Sequence, residues 1–189
     1  MTTIFIVLFL IGCANDTTNK RFFKDKSLTD ETLKGRNEFV KFDDKNYKLS
    51  WIDVSRNIIT NEYLIEGETL TKWSSMFASR LFKQARVIKE VFPKYMEQIK
   101  PLIAVKPVFY KDYMIESENI VLEVFLMASD KSYYEYNLHI FIEAEDGVRA
   151  YQYAQKLPFQ TSLDVSNVVK SRDSRLIQLR AININFYEN

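Results

Sequence analysis

Hydrophobic positions fall into three kinds of pattern along this chain, and each predicts a different element. Ile4 to Ile11 is one unbroken apolar run that ends at Gly12-Cys13, and from Ala14 to about Arg36 the sequence is polar. Beyond residue 36 the spacing alternates. Tyr47, Leu49 and Trp51 share one side at a two-residue period while Lys48 and Ser50 take the other, which predicts a strand over Tyr47 to Asp53 with one covered face. A strand near Phe39 to Phe42 precedes it, with turn-favouring Asp43-Asp44-Lys45-Asn46 between, and a third strand is expected over Ile59 to Ile65.

The period then changes. After Glu66-Gly67-Glu68-Thr69, the residues Leu70, Trp73 and Phe77 recur at helical spacings, predicting a short helix capped by Thr69 or Thr71. Phe77 to Phe82 is also compatible with a strand. The clearest helical pattern runs from Gln84 to Lys100, where Ile88, Val91, Phe92, Tyr95, Met96 and Ile99 form one side. Pro93 inside it predicts a kink or two shorter helices, and Pro101 stops it.

Four more strands are expected, near Ala104 to Tyr110, Asn119 to Ala128, Tyr133 to Glu143 and Arg149 to Lys156. Glu145-Asp146-Gly147 should turn the last two into a hairpin. Ala150 and Ala154 alternate with Tyr151 and Tyr153, a small side that would let a helix approach closely. Ser162 can cap a terminal helix reaching Leu179, with Asp164 in its first turn and Val165, Val169, Leu176 and Leu179 facing inward. A short strand over Ile182 to Phe186 would end the chain. Together these elements predict an α+β fold: an antiparallel β-sheet packed by a long central helix and a C-terminal helix, in one domain over residues 37–189.

The order of strands, the segment Gly67-Glu68-Thr69-Leu70-Thr71-Lys72-Trp73, a long helix, an antiparallel meander, a late helix and a last strand resembles the Mog1/PsbP-like arrangement over most of residues 39 to 189. Asn61 to Leu70 with Trp73 is also similar to a segment of small uncharacterised bacterial secreted proteins and lipoproteins. Members of the fold group act as binding or assembly modules, so the resemblance implies no particular activity and no functional residue.

The apolar run has its own meaning. Eight residues span only about 12 Å as a helix, whereas crossing a bilayer core takes roughly 20 residues, so the run reads as the core of an export signal. Leu10-Ile11-Gly12-Cys13 resembles the lipobox of bacterial lipoproteins, in which a peptidase cuts before a diacylglyceryl-modified Cys. That resemblance implies a signal peptide over 1–12, fatty acylation at Cys13 and a tether over 13–36. With Ala14 rather than Asp after the Cys, it further implies the outer membrane, facing the periplasm, if the cell has one. Met1-Thr2-Thr3 lacks the Lys or Arg that usually opens such a signal. A buried N-terminal strand with an ordinary reduced thiol is the alternative reading. In the tether, Lys20 to Lys26 with Phe22 and Phe23 could rest on anionic lipid or dock on the domain.

Composition narrows the rest. The 189 residues are 47% hydrophobic, enough for a sizeable core, and carry 26 Lys and Arg against 25 Asp and Glu, a balance that gives no electrostatic case for a nucleic-acid partner. Cys13 is the sole cysteine, so an internal disulfide is excluded and lipidation leaves no thiol for catalysis. His139 is the only histidine; its strand neighbours favour a satisfied sheet residue over a general base, and no G-x-S-x-G elbow accompanies it. One His and one committed Cys do not make a zinc site. Asp43 with Asp44, and Glu143 with Glu145 and Asp146, read as solvated turns without an EF-hand pattern. No catalytic, cofactor or metal residue is therefore assigned. Tyr133, Tyr134, Tyr136, Tyr151 and Tyr153 cluster in two neighbouring strands and are the candidate partner surface, since Tyr joins a large apolar area to a hydrogen-bonding tip.

The function this predicts is a membrane-anchored, non-catalytic binding or accessory protein of the bacterial envelope, contacting lipid through Cys13 and an envelope protein through its domain. An immunity protein against a secreted toxin, a small-ligand or lipid-binding lipoprotein, and a hydrolase using His139 are the alternatives. Enzyme activity is the least favoured of these.

Overall fold

Eight strands carry about half of the residues that the computed structural model describes, which are 35–111, 118–160 and 165–186. They are β1 (Phe39–Phe42), β2 (Lys45–Val54), β3 (Ile58–Ile65), β4 (Ser75–Phe82), β5 (Ile103–Lys111), β6 (Ile120–Met127), β7 (Tyr133–Ala144) and β8 (Gly147–Pro158). All pair antiparallel into one curled half-barrel sheet of order β1-β2-β3-β4-β8-β7-β6-β5. Two meanders, β1 to β4 and β5 to β8, meet where β4 pairs β8.

This overturns the sheet packed by a long central helix, and the Mog1/PsbP-like arrangement with it. The apolar stripe from Ile88 to Ile99 exists, but a 3-10 turn over Ile88–Glu90 carries its first part, and the helix α1 is only Phe92–Ile99. Pro93 sits in the first turn of α1, where its missing N–H would be unbonded in any case. The proline therefore starts the helix instead of bending a longer one. No helix spans Leu70 to Phe77 either. Thr69 and Lys72 exchange backbone hydrogen bonds of 3.0 Å, a tight turn that sends Ser75 straight into β4. Trp73 and Met76 then pack with Leu64 and Ala154 from β3 and β8, and Phe77 enters the core on the other face of the sheet.

The sheet is covered on both faces. On one, Tyr47, Leu49, Tyr63, Phe77, Leu138, Tyr151 and Tyr153 meet Leu176, Leu179, Ile184 and Phe186 from the C-terminal segment. That segment contains α2 (Ser166–Lys170) and α3 (Arg172–Ala181). Val168 is the buried member of α2 and Val169 is exposed, one position out of phase with the expectation. Residues 182–186 are not a strand, although Ile184 and Phe186 are buried. On the other face, Leu122, Val124, Leu126, Phe141, Val148 and Ala150 meet Ile88, Val91, Phe92 and Ile99. Fully burying one such side chain is worth about 1.5–3 kcal/mol, so two apolar faces hold a domain without a disulfide.

Local chemistry sets the register. Asp43 and Asp44 both take positive φ (49° and 58°) in the two-residue loop between Phe42 and Lys45, as a twisted hairpin requires. Arg175 Nη2 lies 2.9 Å from Asp43 Oδ2 and ties that turn to α3. In β2 the register shifts between Leu49 and Trp51, so Ser50 is an extra residue and Trp51 changes face. Tyr47 and Leu49 are buried as the alternation predicts; Trp51 no longer shares their side.

Candidate functional site

Cys13 and the expected signal and tether up to residue 34 lie outside the described residues, as do Ser162 and Asp164. The last two residues of the expected tether belong to the fold: Arg36 Nη1 donates to the Phe186 carbonyl at 2.9 Å, and the Gly35 carbonyl accepts from Asn185. Of the five tyrosines, Tyr136, Tyr151 and Tyr153 are buried in the core beneath the C-terminal helices. They do not form one surface with the others. Tyr133 and Tyr134 are half-buried, on opposite faces of β7; Tyr134 stacks on Phe159, which is 44% exposed, with ring centroids 5.3 Å apart. The outer end of the β7–β8 pair is thus the aromatic part of the surface.

His139 is 1% exposed beneath α1. The Tyr95 hydroxyl shares a 3.0 Å hydrogen bond with its Nε2, and the rings of Tyr95 and Phe141 lie against the imidazole. Burial, seconded by the Arg80 charge, holds its pKa well below the ordinary histidine value, so the ring is neutral. A general base needs access to a substrate proton; this imidazole is sealed. The two acidic turns are likewise engaged, Asp43 with Arg175, Glu143 Oε1 accepting the Ile88 amide at 2.8 Å, and Asp146 with Arg149. Among the described residues no three His, Cys, Asp or Glu side chains converge as a metal site.

Sequence reasoning missed a row of buried polar groups on the α1 face. Glu62, Ala78, Gln152, His139 and Leu122 are cross-strand neighbours from β3 through β6. Arg80 Nη2 lies 4.0 Å from Glu62 Oε1, and Arg80 Nη1 donates to Gln152 Oε1 at 2.6 Å. Gln152 Nε2 then donates to Asn137 Oδ1 at 2.6 Å, and Asn137 Nδ2 to the Glu135 backbone carbonyl at 3.3 Å. Ala78, Ala150 and Ala154 keep this side of β4 and β8 thin enough for the longer polar chains to lie across it. Here the small residues admit Arg80 and Gln152, not only the helix.

Glu135 is the anomaly in this row. Its side chain is 0% exposed, and neither carboxyl oxygen has a hydrogen-bond partner. Burial pushes its pKa up to about 8, against the opposing pull of the Asn137 amide and the Lys156 charge. The Asn137 amide is near enough to favour the charged form, yet its hydrogen bond goes to the Glu135 main chain. At neutral pH the carboxyl is mostly protonated. Lys156 stands directly across from Glu135 in the β7–β8 register, but its Nζ lies between two rings, 4.4 Å from the Trp73 centroid and 4.5 Å from that of Tyr133. Glu62 is raised too, by burial, against the lowering pull of the Arg80 charge.

The signal for this row was the alternation Tyr133-Glu135-Asn137-His139 in β7. Such a polar side ordinarily faces water; in a strand central to a sheet covered on both faces it is buried.

Fold and site define an antiparallel-sheet domain with a covered polar interior and an unpaired internal carboxyl. The chain belongs to an uncharacterised protein family, whose model matches residues 35–184. No curated protein and no solved structure matches it.

Proposed function

We propose that this protein is a membrane-anchored, non-catalytic binding protein of the bacterial cell envelope, held by fatty acylation at Cys13 and, in a cell with two membranes, facing the periplasm from the outer one. The observation that carries this reading is the apolar run Ile4 to Ile11 closing on Gly12 and the sole cysteine. The family match begins at residue 35, so it leaves Cys13 and the polar stretch after it ahead of the domain, as an anchor and tether would be. Among the described residues no helix is long and apolar enough to cross a membrane. A binding role draws support from the exposed Phe159 stacked on Tyr134, and the sealed His139 weighs against hydrolysis.

Cys13→Ala tests the anchor. The variant should move from the membrane to the soluble fraction of the native host with its melting temperature unchanged; wild type and variant fractionating alike would end the proposal. Crosslinking in intact envelopes then separates the two forms of the role, an assembly subunit indicating an accessory protein and a toxin indicating immunity. The unpartnered Glu135 carboxyl favours a second reading, in which the domain also binds a small ligand.

A further inference from the structure

One edge of the sheet concentrates exposed apolar surface. Eight large hydrophobic side chains are exposed among the described residues, and three of them, Val105, Val108 and Phe109 at 46, 51 and 57%, lie within five residues of β5. The other five stand singly on other elements, as scattered apolar side chains ordinarily do. Phe109 is opposite Leu122 of β6, which packs on the α1 face, whereas Val105 is opposite Phe125, which packs on the C-terminal face. Apolar groups thus project on both faces of one edge strand. Phe92 at the start of α1 meets the Phe109 ring edge-on, with centroids 5.6 Å apart. Between Phe92 and Phe109 the charged side chains are Lys94, Glu97, Lys100 and Lys106, three cations against one anion, and all are exposed.

We propose that the β5 edge and the lysines beside it form a second membrane contact, distinct from the acyl anchor, which rests on an anionic phospholipid surface with Val105, Val108 and Phe109 entering the headgroup layer. The chemistry of the edge selects this occupant. A second copy of the chain adding a strand would have to pair with β5, where Pro107 lacks an N–H and two register shifts interrupt the ladder. A bilayer surface demands no backbone pairing, and cations beside apolar groups match anionic headgroups over acyl chains. The edge backbone keeps the insertion shallow, because its N–H and C=O groups would lose water in the hydrocarbon. Reach is no obstacle. Seven strand spacings put β5 at most about 34 Å from β1, and the 22 residues from Cys13 to residue 34 can extend roughly 70 Å. Two net charges favour an anionic surface by only about thirtyfold, at roughly fivefold each, so the contact alone is weak and washes off during fractionation. In the cell the anchor supplies the local concentration that maintains it.

The test uses full-length Cys13→Ala protein, so that no acyl chain takes part, carrying either Phe109→Cys or, as a control on α3, the exposed Ile177→Cys. Each is labelled there with a polarity-sensitive fluorophore. With excess phosphatidylglycerol vesicles at low salt, the label at position 109 should shift to the blue and become shielded from iodide, while the label at 177 stays in water. Phosphatidylcholine vesicles should bind about thirtyfold more weakly, and so should phosphatidylglycerol vesicles when Lys94→Gln and Lys106→Gln remove two charges. Absence of binding to the anionic vesicles overturns the proposal, as does equal binding of the two lipids. Binding with the label at 109 still in water also overturns it, because the tether alone then holds the vesicle. A blue shift at 109 without lipid, growing with protein concentration, would instead mark an interface between copies and overturn it as well. If Phe109→Cys changes the circular dichroism, Val105→Cys carries the label in its place. Every sample lacks the acylated cysteine, so failure here would leave the Cys13 fractionation result untouched.

Discussion

A carboxyl group driven into a sheet interior without a hydrogen bond makes stability depend on pH. Glu135 has its folded pKa raised to about 8 from the ordinary 4.5, so between those values the folded protein holds a proton that the unfolded chain has lost. Stability therefore falls as pH rises through that window, and the full penalty, a few kcal/mol, is present above it. Glu135→Gln should match wild type near pH 4 and exceed it increasingly up to about pH 8 or 9, as read by urea unfolding at several pH values; a constant difference would refute the protonated state. His139 acts in the opposite direction. Its folded pKa is depressed, so the unfolded chain binds the extra proton below about 6.5 and stability falls with acid. Tyr95→Phe removes the hydrogen-bond partner of the imidazole and should cost about 1–3 kcal/mol at pH 7 while leaving the far-ultraviolet spectrum unchanged.

Hairpins, not helices, set the elements of this fold. Gly147 opens β8 opposite Ala144 at φ 141°, and a Cβ there would collide with the Phe82 carbonyl oxygen at the end of β4. Gly147→Ala should therefore lose about 2 kcal/mol or more by thermal melting, because it combines a forbidden backbone region with a clash against another strand. That turn was legible in Glu145-Asp146-Gly147, as were the Asp43-Asp44 turn and the strands β1 to β3 and β5 to β8, since two-residue periodicity and turn chemistry are local. The length of α1 was not. Ile88 to Ile99 supplies a helical stripe, yet the covered sheet is satisfied by a 3-10 turn followed by eight helical residues, and spacing cannot tell these apart. Ser50 was equally silent, because a bulge is fixed by pairing with β3. The buried polar row lay outside local reasoning for a related reason: whether Glu135 and Gln152 face water depends on what covers the sheet, and that is set by α1 and the segment around Trp73.

The whole molecule is a sheet with two covered faces and two edges. At one edge β5 carries Lys106 and Pro107 and two register shifts against β6, features that discourage another strand from pairing there. At the other, the short β1 begins three residues after Arg36, which with Gly35 is bonded to the tail at Asn185 and Phe186. Under the proposed anchoring the chain from Cys13 reaches the domain at Gly35 and Arg36, beside its C-terminal segment, and the aromatic end of β7 and β8 is the surface proposed for a partner. The account rests on that acylation. Mass spectrometry of the N-terminal peptide of the protein from its native host is the most direct measurement: the account predicts a chain beginning at Cys13 with a thioether-linked diacylglyceryl group, and an intact N-terminus with an unmodified Cys13 thiol would contradict it.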